Sequence, residues 1–244
     1  MNTHQDYGKK TSSESVAGLK HNVKIIKFSD FFWSIVWILV IILLILRIFV
    51  FQQVSVQGAS MQPNYYERDM LLINQIDRNF KRGQVVAVYE DSTVAKNANY
   101  FTRFNPKTVF FLKRVIGLPG EEVEMVGGKV IIYNQEFPNG VLLNEDYIAP
   151  EIKISEELTK YYYKKTKIQP NTYFLLGDNR TNSTDSRKVG AFPDYSIFGQ
   201  ENLRYWPFSS ASYFSLPNYN YTALSSAIID QIKEYENTNN SFID

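Results

Sequence analysis

Lys113 lies inside the apolar stretch TVFFLKRVIG, residues 108–117, where an extended strand would bury its side chain. In such a strand the lysine shares a face with Phe111 and Val115, while Arg114 faces the other way. An apolar face disfavours the charged ammonium and therefore lowers the pKa of the lysine. A neutral amine is a general base, whereas a guanidinium keeps its proton. The alternative is an edge lysine whose amine simply reaches water.

Ser60 is the leading candidate for the hydroxyl that such a base would deprotonate. It stands in VQGASMQPN, with Gly58 two residues before it and Pro63 three residues after it. The glycine lets the backbone approach a substrate closely, and the proline stiffens the loop. Most loop serines only make a turn hydrogen bond, so the unusual lysine is what favours a chemical role for this one.

Missing residue types exclude several kinds of site. The chain has no cysteine, which excludes thiol nucleophiles, cysteine-ligated zinc and disulfides. Its two histidines, His4 and His21, both precede the one long apolar segment. If that segment crosses a membrane, a Ser-His-Asp triad or a histidine-ligated metal is impossible beyond it. Proton transfer then falls to Lys, Asp, Glu or Tyr, and no metal or organic cofactor is expected.

A third polar stretch, GDNRTNSTDSR, follows the apolar run YFLL. It places two Asp–Arg combinations close together, with hydroxyl groups between them. This composition indicates a hydrogen-bonded network that fixes side chains, although a solvated surface loop is the simpler alternative. The candidate residues here are Gly177, Asp178, Ser183, Asp185 and Arg187.

Short β-like runs separated by turn signals predict the scaffold that positions these residues. The turn signals include KRG, LPG, VGG and FPNG. The pattern predicts a mostly β fold, with an antiparallel β-sheet or barrel-like catalytic domain. The runs are MLLINQI, QVVAVY, TVFFLKRVIG, EEVEMV, KVIIYN and TYFLLG.

Other segments interrupt or follow this pattern. Residues 154–167 are interpreted as helical or disordered. Near the C-terminus, apolar residues at helical spacing predict a short amphipathic helix with a frayed Asn-rich end. That helix can pack on the domain, on the membrane surface or on a partner. The spaced residues are Leu224, Ile228, Ile232 and Tyr235.

Residues 31–51 predict one N-terminal transmembrane helix. Only Ser34 and Arg47 interrupt 21 otherwise apolar residues, which span roughly 31 Å as a helix. Five lysines precede the segment and favour a cytoplasmic N-terminus. A buried core helix is the alternative. A cleaved signal peptide is disfavoured by the length of the segment and by the lack of a small-x-small cleavage site after it.

The expected organisation follows from these segments. It comprises a cytoplasmic tail (1–30), a transmembrane anchor (31–51), an extracytoplasmic β catalytic domain (52–216) and a polar C-terminal tail with a short helix (217–244). Ser60 is only nine positions after Phe51, a reach of at most about 30 Å. The candidate nucleophile is therefore expected near the membrane surface.

Three stretches resemble the type I signal peptidases, the bacterial leader peptidases, and they follow one another in the order found in that family. The resemblance implies that Ser60 is the nucleophile and Lys113 the base of a Ser-Lys dyad. It further implies that Ser183 helps to orient the lysine amine and that Asp185 and Arg187 hold the region together. The resemblance covers about residues 31–208, and its stretches are GASMQPN, FLKRVIGLPGE and GDNRTNSTDSR.

The resemblance also implies an activity and a location. Members of this family are membrane-anchored endopeptidases that remove signal peptides from exported preproteins, usually after small residues at −3 and −1. The implied partners are preproteins, the lipid bilayer and the secretion translocon, at the cytoplasmic membrane with the catalytic domain outside. The net charge of +1 gives no support for a nucleic-acid partner.

Several residues depart from the family pattern. Gly58 stands where some members carry a serine whose hydroxyl donates to the oxyanion, so the second oxyanion donor is unidentified. Asn64 replaces the usual threonine, and Glu121 the usual aspartate after Leu-Pro-Gly. Relative to the family, residues 91–107 and 150–168 are interpreted as insertions. Two other functions are considered: a Ser-Lys hydrolase of the self-cleaving repressor type, and an inactive membrane-tethered β module that binds signal peptides or a secretion complex.

Overall fold

The computed structural model describes residues 28–98 and 109–240. Most of the predicted cytoplasmic tail, together with His4 and His21, lies outside the described residues, as do residues 99–107 of the first predicted insertion. The chain divides into two compact units, residues 1–44 and 45–244. Each unit is described by itself.

The predicted apolar helix is present. It is α1, Phe28–Phe49, and its large apolar side chains, such as Trp37 and Leu43, are exposed rather than packed against protein. The Ser34 hydroxyl donates to the Asp30 carbonyl, 2.7 Å away, so its polar group is satisfied within the helix. Among the described residues, 29–46 form the one stretch that is long and apolar enough to cross a membrane.

The second unit is built from antiparallel strands, as predicted. All six runs read from the sequence contain a strand, and every pairing among the described strands is antiparallel. The strands are β1 Phe51–Ser55, β2 Met70–Asn74, β3 Val85–Tyr89, β4 Phe110–Gly117, β5 Glu122–Val126, β6 Lys129–Tyr133, β7 Val141–Leu142, β8 Tyr162–Lys167, β9 Thr172–Leu176, β10 Phe192–Pro193, β11 Ile197–Trp206, β12 Ser212–Tyr213 and β13 Thr222–Ala223.

The strands form two curled sheets that share no strand. The larger has the order β1-β2-β11-β3-β4-β9-β10, with β12 added against β11, and the smaller has the order β13-β7-β6-β5-β8. In the larger sheet β4 lies between β3 and β9, so the strand that carries Lys113 is central. Besides α1, the helices are α2 Ser92–Lys96, α3 Pro150–Lys153, α4 Glu156–Thr159, α5 Ser186–Val189 and α6 Ser226–Asn240.

The segment 154–167 is only partly helical. Its first half includes the short helix α4, as expected, but its second half is β8, so the expectation of helix or disorder is wrong there. β8 pairs along β5 as the edge of the smaller sheet. Tyr163 packs its ring 5.2 Å from that of Phe174, centroid to centroid. The run of exposed lysines obscured this strand, although lysines are common on sheet edges.

The C-terminal helix packs on the domain, which confirms the simplest of the three alternatives. Ile228 of α6 is buried against Val126 and Ile131 of the smaller sheet. The ring of Tyr235 stacks on that of Tyr162 with centroids 5.1 Å apart. Just before the helix, β13 pairs with β7. Residues 222–240 therefore add a strand and a covering helix to the smaller sheet.

Candidate active site

Ser60 and Lys113 meet at hydrogen-bond distance. Ser60 lies in the turn of residues 58–65 that follows β1, here called the Ser60 turn, and Lys113 lies in the middle of β4. The lysine Nζ is 2.8 Å from the Ser60 Oγ and donates to the Leu112 carbonyl at 2.9 Å. A central strand thus holds the amine rigidly beside a hydroxyl that is carried on a turn.

The environment of Lys113 is apolar, as its strand position predicts. Only 2% of the residue is exposed, and its Nζ lies 5.4 Å from the centroid of the Phe111 ring. The edge-lysine alternative is therefore wrong. Burial lowers the pKa of Lys113 to about 8, and the Asp185 carboxylate limits the fall. Among the described residues, no carboxylate forms an ion pair with this amine.

The polar stretch 177–187 lies directly against the Ser60 turn. The Asn179 backbone N–H donates to the Ser60 carbonyl at 2.9 Å, and its side-chain amide donates to the Ala59 carbonyl at 3.2 Å. A Cβ added at Gly177 would lie 2.5 Å from the Ser60 carbonyl oxygen. Position 177 therefore has no room for a side chain, because the two backbones approach too closely.

Gly58 opens the Ser60 turn in a left-handed conformation, with φ of +75°. Nothing lies within 4 Å of the position that a Cβ would occupy there. Backbone conformation, rather than lack of space, is what favours glycine at this position. Gly58 has no side chain to donate a hydrogen bond, so the second oxyanion donor stays unassigned.

Asp185 and Arg187 form the fork-shaped pair that the sequence suggested. Arg187 donates from Nε and Nη2 to the two carboxylate oxygens, each at 2.8 Å. The backbone N–H of Gly177 donates to the same carboxylate at 3.1 Å. Burial raises the pKa of Asp185, but the hydrogen bonds and positive charge of Arg187, together with the hydrogen bond from the Gly177 N–H, lower it by more, so that the pKa falls below its usual value.

The Ser183 hydroxyl is buried beside Gly177. Among the described residues its Oγ has no partner with full hydrogen-bond geometry, although the hydroxyl lies close enough to Asp185 to help lower the pKa of that carboxyl. The expected contact between this hydroxyl and the Lys113 amine is therefore not among the hydrogen bonds of the site. Its orienting role stays a prediction.

Asp178 faces Arg114 rather than the reacting pair. Arg114 Nε and Nη2 donate to the two oxygens of Asp178 at 2.8 and 2.6 Å, and both residues are buried. The Arg114 guanidinium also lies over the Tyr147 ring, 4.1 Å from its centroid. A second buried fork joins Arg180 to Glu145. These two ion pairs fix the stretch 177–187 against the rest of the domain.

Sequence reasoning missed several members of this network. Arg114 was considered only as a group that cannot act as a base, although a buried arginine needs an acidic partner. Asn179 lies in the polar stretch GDNRTNSTDSR, but no sequence pattern assigns it a role. Glu145 carried no signal, because the surrounding residues show no pattern that distinguishes an exposed glutamate from a buried one. Among the described residues, no cluster of three or more metal-ligating side chains is present.

Comparisons with known proteins identify the family of the chain. Residues 29–206 match the family described as signal peptidase, peptidase S26. The chain is 33% identical to a probable signal peptidase I-2 of Synechocystis over 171 residues, 69% of each chain. It is 32% identical to signal peptidase I S of Bacillus subtilis over 181 residues, 70% of this chain and 86% of the relative. A solved signal peptidase I from Enterococcus faecalis matches half of this chain at 27% identity, with a TM-score of 0.35.

Proposed function

Because the chain belongs to the signal peptidase family S26, whose members remove signal peptides from preproteins, we propose that it cleaves preproteins by a Ser-Lys acyl-enzyme mechanism. The observation that carries this proposal is the 2.8 Å contact between the Ser60 hydroxyl and the buried Lys113 amine. A serine alone is a weak nucleophile, and an adjacent base in its neutral form activates it.

Lys113 acts as the base in the first step. Its neutral amine takes the hydroxyl proton as Ser60 Oγ attacks the scissile carbonyl, so that a C–O bond forms and the amine becomes an ammonium. A pKa of about 8 supports this role, because a sizeable fraction of the amine is neutral in a mildly alkaline medium. The ammonium then gives its proton to the leaving amine as the peptide bond breaks.

The same lysine serves the second step. The neutral amine takes a proton from water, the resulting hydroxide attacks the acyl-enzyme, and the proton returns to Ser60 as the ester bond breaks. In this proposal the Ser60 backbone N–H contributes to the oxyanion hole in both steps. Asn179 supports this arrangement, since it holds the carbonyls of Ala59 and Ser60.

The remaining candidate residues act by positioning. Asp185 and Arg187 keep stretch 177–187 against the Ser60 turn, and Asp185 also limits the fall in the pKa of Lys113. Gly177 permits the close approach of the two backbones. In this proposal Ser183 orients the lysine amine during the reaction rather than in the resting state.

The family is membrane-associated, and α1 is a candidate span. In our proposal it anchors the enzyme in the cytoplasmic membrane, with a cytoplasmic N-terminus and residues 52–244 outside. The short connection from Phe51 to Ser60 then keeps the serine near the bilayer surface, where the cleavage site of a signal peptide emerges. Substrates carry small residues at −3 and −1, and the secretion translocon delivers them.

Cleavage of a reporter preprotein with alanine at −3 and −1, in detergent, tests this proposal. The full chain should cut after the −1 residue, whereas folded Ser60→Ala and Lys113→Ala should not. Two matched controls should keep cleaving: Ser196→Ala, which removes a buried serine bonded to the Pro193 carbonyl, and Lys129→Ala, which removes an exposed strand lysine.

Each other outcome points elsewhere. Cleavage that survives Lys113→Ala would mean that another group is the base. Binding of the signal peptide by the wild-type chain without cleavage would favour the inactive binding module.

A further inference from the structure

Asn64 is one of the residues at which the Ser60 turn departs from the family pattern, and its amide makes two long-range hydrogen bonds. Its Nδ2 donates to the Asp178 carboxylate and to the Tyr147 backbone carbonyl, both at 2.8 Å. Both amide hydrogens are therefore used. The two acceptors lie 114 and 83 residues away in the chain, so one side chain joins three separate segments.

The acceptor Asp178 is itself bound on both carboxylate oxygens. It is fully buried, and Arg114 binds both of its carboxylate oxygens. The bond from Asn64 is thus a third donor to one buried carboxylate, and hydrogen bonds to a charged group are stronger than neutral ones. On its other side, the backbone carbonyl of Asn64 accepts from Arg204 Nη1 at 2.7 Å. Asn64 is fixed by both its side chain and its backbone.

The Ser60 turn is consequently held at both ends by consecutive residues of one segment. At the start, Asn179 binds the carbonyls of Ala59 and Ser60. At the end, Asp178 binds the side chain of Asn64. Removal of the Asn64 amide would leave the start of the turn attached and take both side-chain connections from its end, four residues after the serine, where the bond from Arg204 to the Asn64 carbonyl remains.

We propose that Asn64 is a positioning residue that holds the Ser60 hydroxyl at its bonding distance from Lys113. This inference rests on the proposed function, because it concerns the reacting geometry of the same serine. The Asn64 amide bonds to Asp178 and the Tyr147 carbonyl rather than to Ser60 or Lys113, so it acts through the turn. A displacement of the order of 1 Å in a reacting group can cost about a hundredfold in rate.

The chemistry of the amide separates asparagine from the threonine that is usual at this position. A threonine hydroxyl has one hydrogen to donate, so it can bind Asp178 or the Tyr147 carbonyl but not both. In this chain the Asn64 amide therefore also secures the segment around Tyr147, whose ring packs on Arg114. Asn64→Thr should keep the connection to Asp178 and lose the one to Tyr147.

Steady-state kinetics with three variants test the proposal. Asn64→Ala should lower kcat by about tenfold or more with KM within about twofold, because the defect lies in the reacting geometry rather than in substrate binding. Asn64→Thr should recover a large part of that loss. The matched control is Asn134→Ala. It removes a side-chain amide that donates a 2.9 Å hydrogen bond to the Glu121 carboxylate in another part of the domain, and it should leave kcat unchanged.

Amide hydrogen exchange gives a second measurement that does not depend on activity. In Asn64→Ala, exchange should accelerate at residues 59–65 and at Asn179, whose N–H is bonded to the Ser60 carbonyl. In Asn134→Ala it should not change there.

The outcomes distinguish this inference from the proposed function. If the wild type cleaves and Asn64→Ala behaves like Asn134→Ala in kcat and in exchange, the inference is overturned while the function stands. If the wild type does not cleave, the proposed function fails, and unchanged exchange in Asn64→Ala would overturn the inference separately. A selective loss of kcat with faster exchange in the turn supports both.

Discussion

Lys113 and Arg114 are adjacent on one central strand, and both are buried, yet their surroundings are opposite. Arg114 meets the Asp178 carboxylate through two hydrogen bonds, and that carboxylate helps to raise its pKa above the usual value. Lys113 has no ion-pair partner among the described residues, and burial lowers its pKa to about 8. The strand therefore carries one cation that is held charged and one that readily loses its charge.

The partners of a buried cation determine whether it stabilises the fold or takes part in chemistry. A buried cation with a full set of partners fixes neighbouring segments, whereas a buried cation without an acid is costly unless its neutral form is useful. Arg114 connects β4 to stretch 177–187. Lys113 faces a serine hydroxyl. Mutation of the Arg114–Asp178 pair should therefore lower stability. Mutation of Lys113 should abolish activity and raise stability.

Replacing Lys113, the cation without an ion-pair partner among the described residues, should have the greatest effect, and that effect is on activity. Lys113→Met keeps the side-chain volume but removes the base, so kcat/KM for a reporter preprotein should fall by about a thousandfold or more. The measurement is cleavage in detergent with the folded variant, compared with Lys129→Met at the exposed start of β6. Residual cleavage within about tenfold of the wild type would contradict the assignment of Lys113 as base.

The second effect in size is on protein stability, when Arg114 loses its partner Asp178. Asp178→Asn leaves the buried Arg114 without a counter-charge and should lower the free energy of unfolding by about 3–5 kcal/mol. Denaturant unfolding monitored by circular dichroism measures the change. A loss below about 1 kcal/mol would show that the guanidinium finds water or another acceptor, and the contrast between the two cations would weaken.

The third effect reverses the usual direction of a core mutation. Lowering the pKa of Lys113 from 10.5 to about 8 corresponds to roughly 3 kcal/mol of destabilisation, at about 1.4 kcal/mol for each pKa unit. Lys113→Met removes this cost, so the variant should be more stable than the wild type at neutral pH, by up to about 3 kcal/mol.

The pH dependence of that gain has a definite sign. Below pH 8 the lysine is protonated in both the folded and unfolded chains, so the full cost is present. Between about 8 and 10.5 only the unfolded chain keeps the proton, and wild-type stability rises with pH. The advantage of Lys113→Met should therefore shrink across this window. An advantage that is constant with pH would show that packing, not charge, is responsible.

The smallest effect is expected where an ion pair is exposed. Glu156 and Lys160 form a pair of 2.6 Å on α4 with both side chains largely in water. Glu156→Gln should change the free energy of unfolding by less than about 0.5 kcal/mol, because solvent screens such pairs. The same unfolding experiment checks this value. A loss comparable to that of Asp178→Asn would mean that burial does not distinguish the two pairs.

Sequence reasoning reached the strands and the residues of the site because both depend on local patterns. Six strands follow from apolar runs between turn signals, and the burial of Lys113 follows from its neighbours in one such run. β11, the longest strand, was missed because Gly199, Gln200 and Glu201 interrupt its apolar pattern, and its pairing shows register shifts. β8 was missed because exposed lysines obscure its aromatic residues.

The long-range partners could not be read from the chain. Nothing local indicates that Glu145 binds Arg180, or that Asn64 reaches Asp178 across more than a hundred residues. Such contacts depend on how the sheets curl and on which loops meet, and hydrogen-bonding side chains are common in every loop. The sequence therefore identified which groups could react but not how they are held.

Lys113 is proposed to be a base because it is buried and has no ion-pair partner among the described residues. The pH dependence of kcat/KM is the most direct test of this role. The full chain should be assayed on the reporter preprotein from about pH 6 to pH 10. We predict a rate that is low at acidic pH and rises tenfold for each pH unit until it levels off near the Lys113 pKa of about 8. A profile that stays flat across this range would contradict the claim.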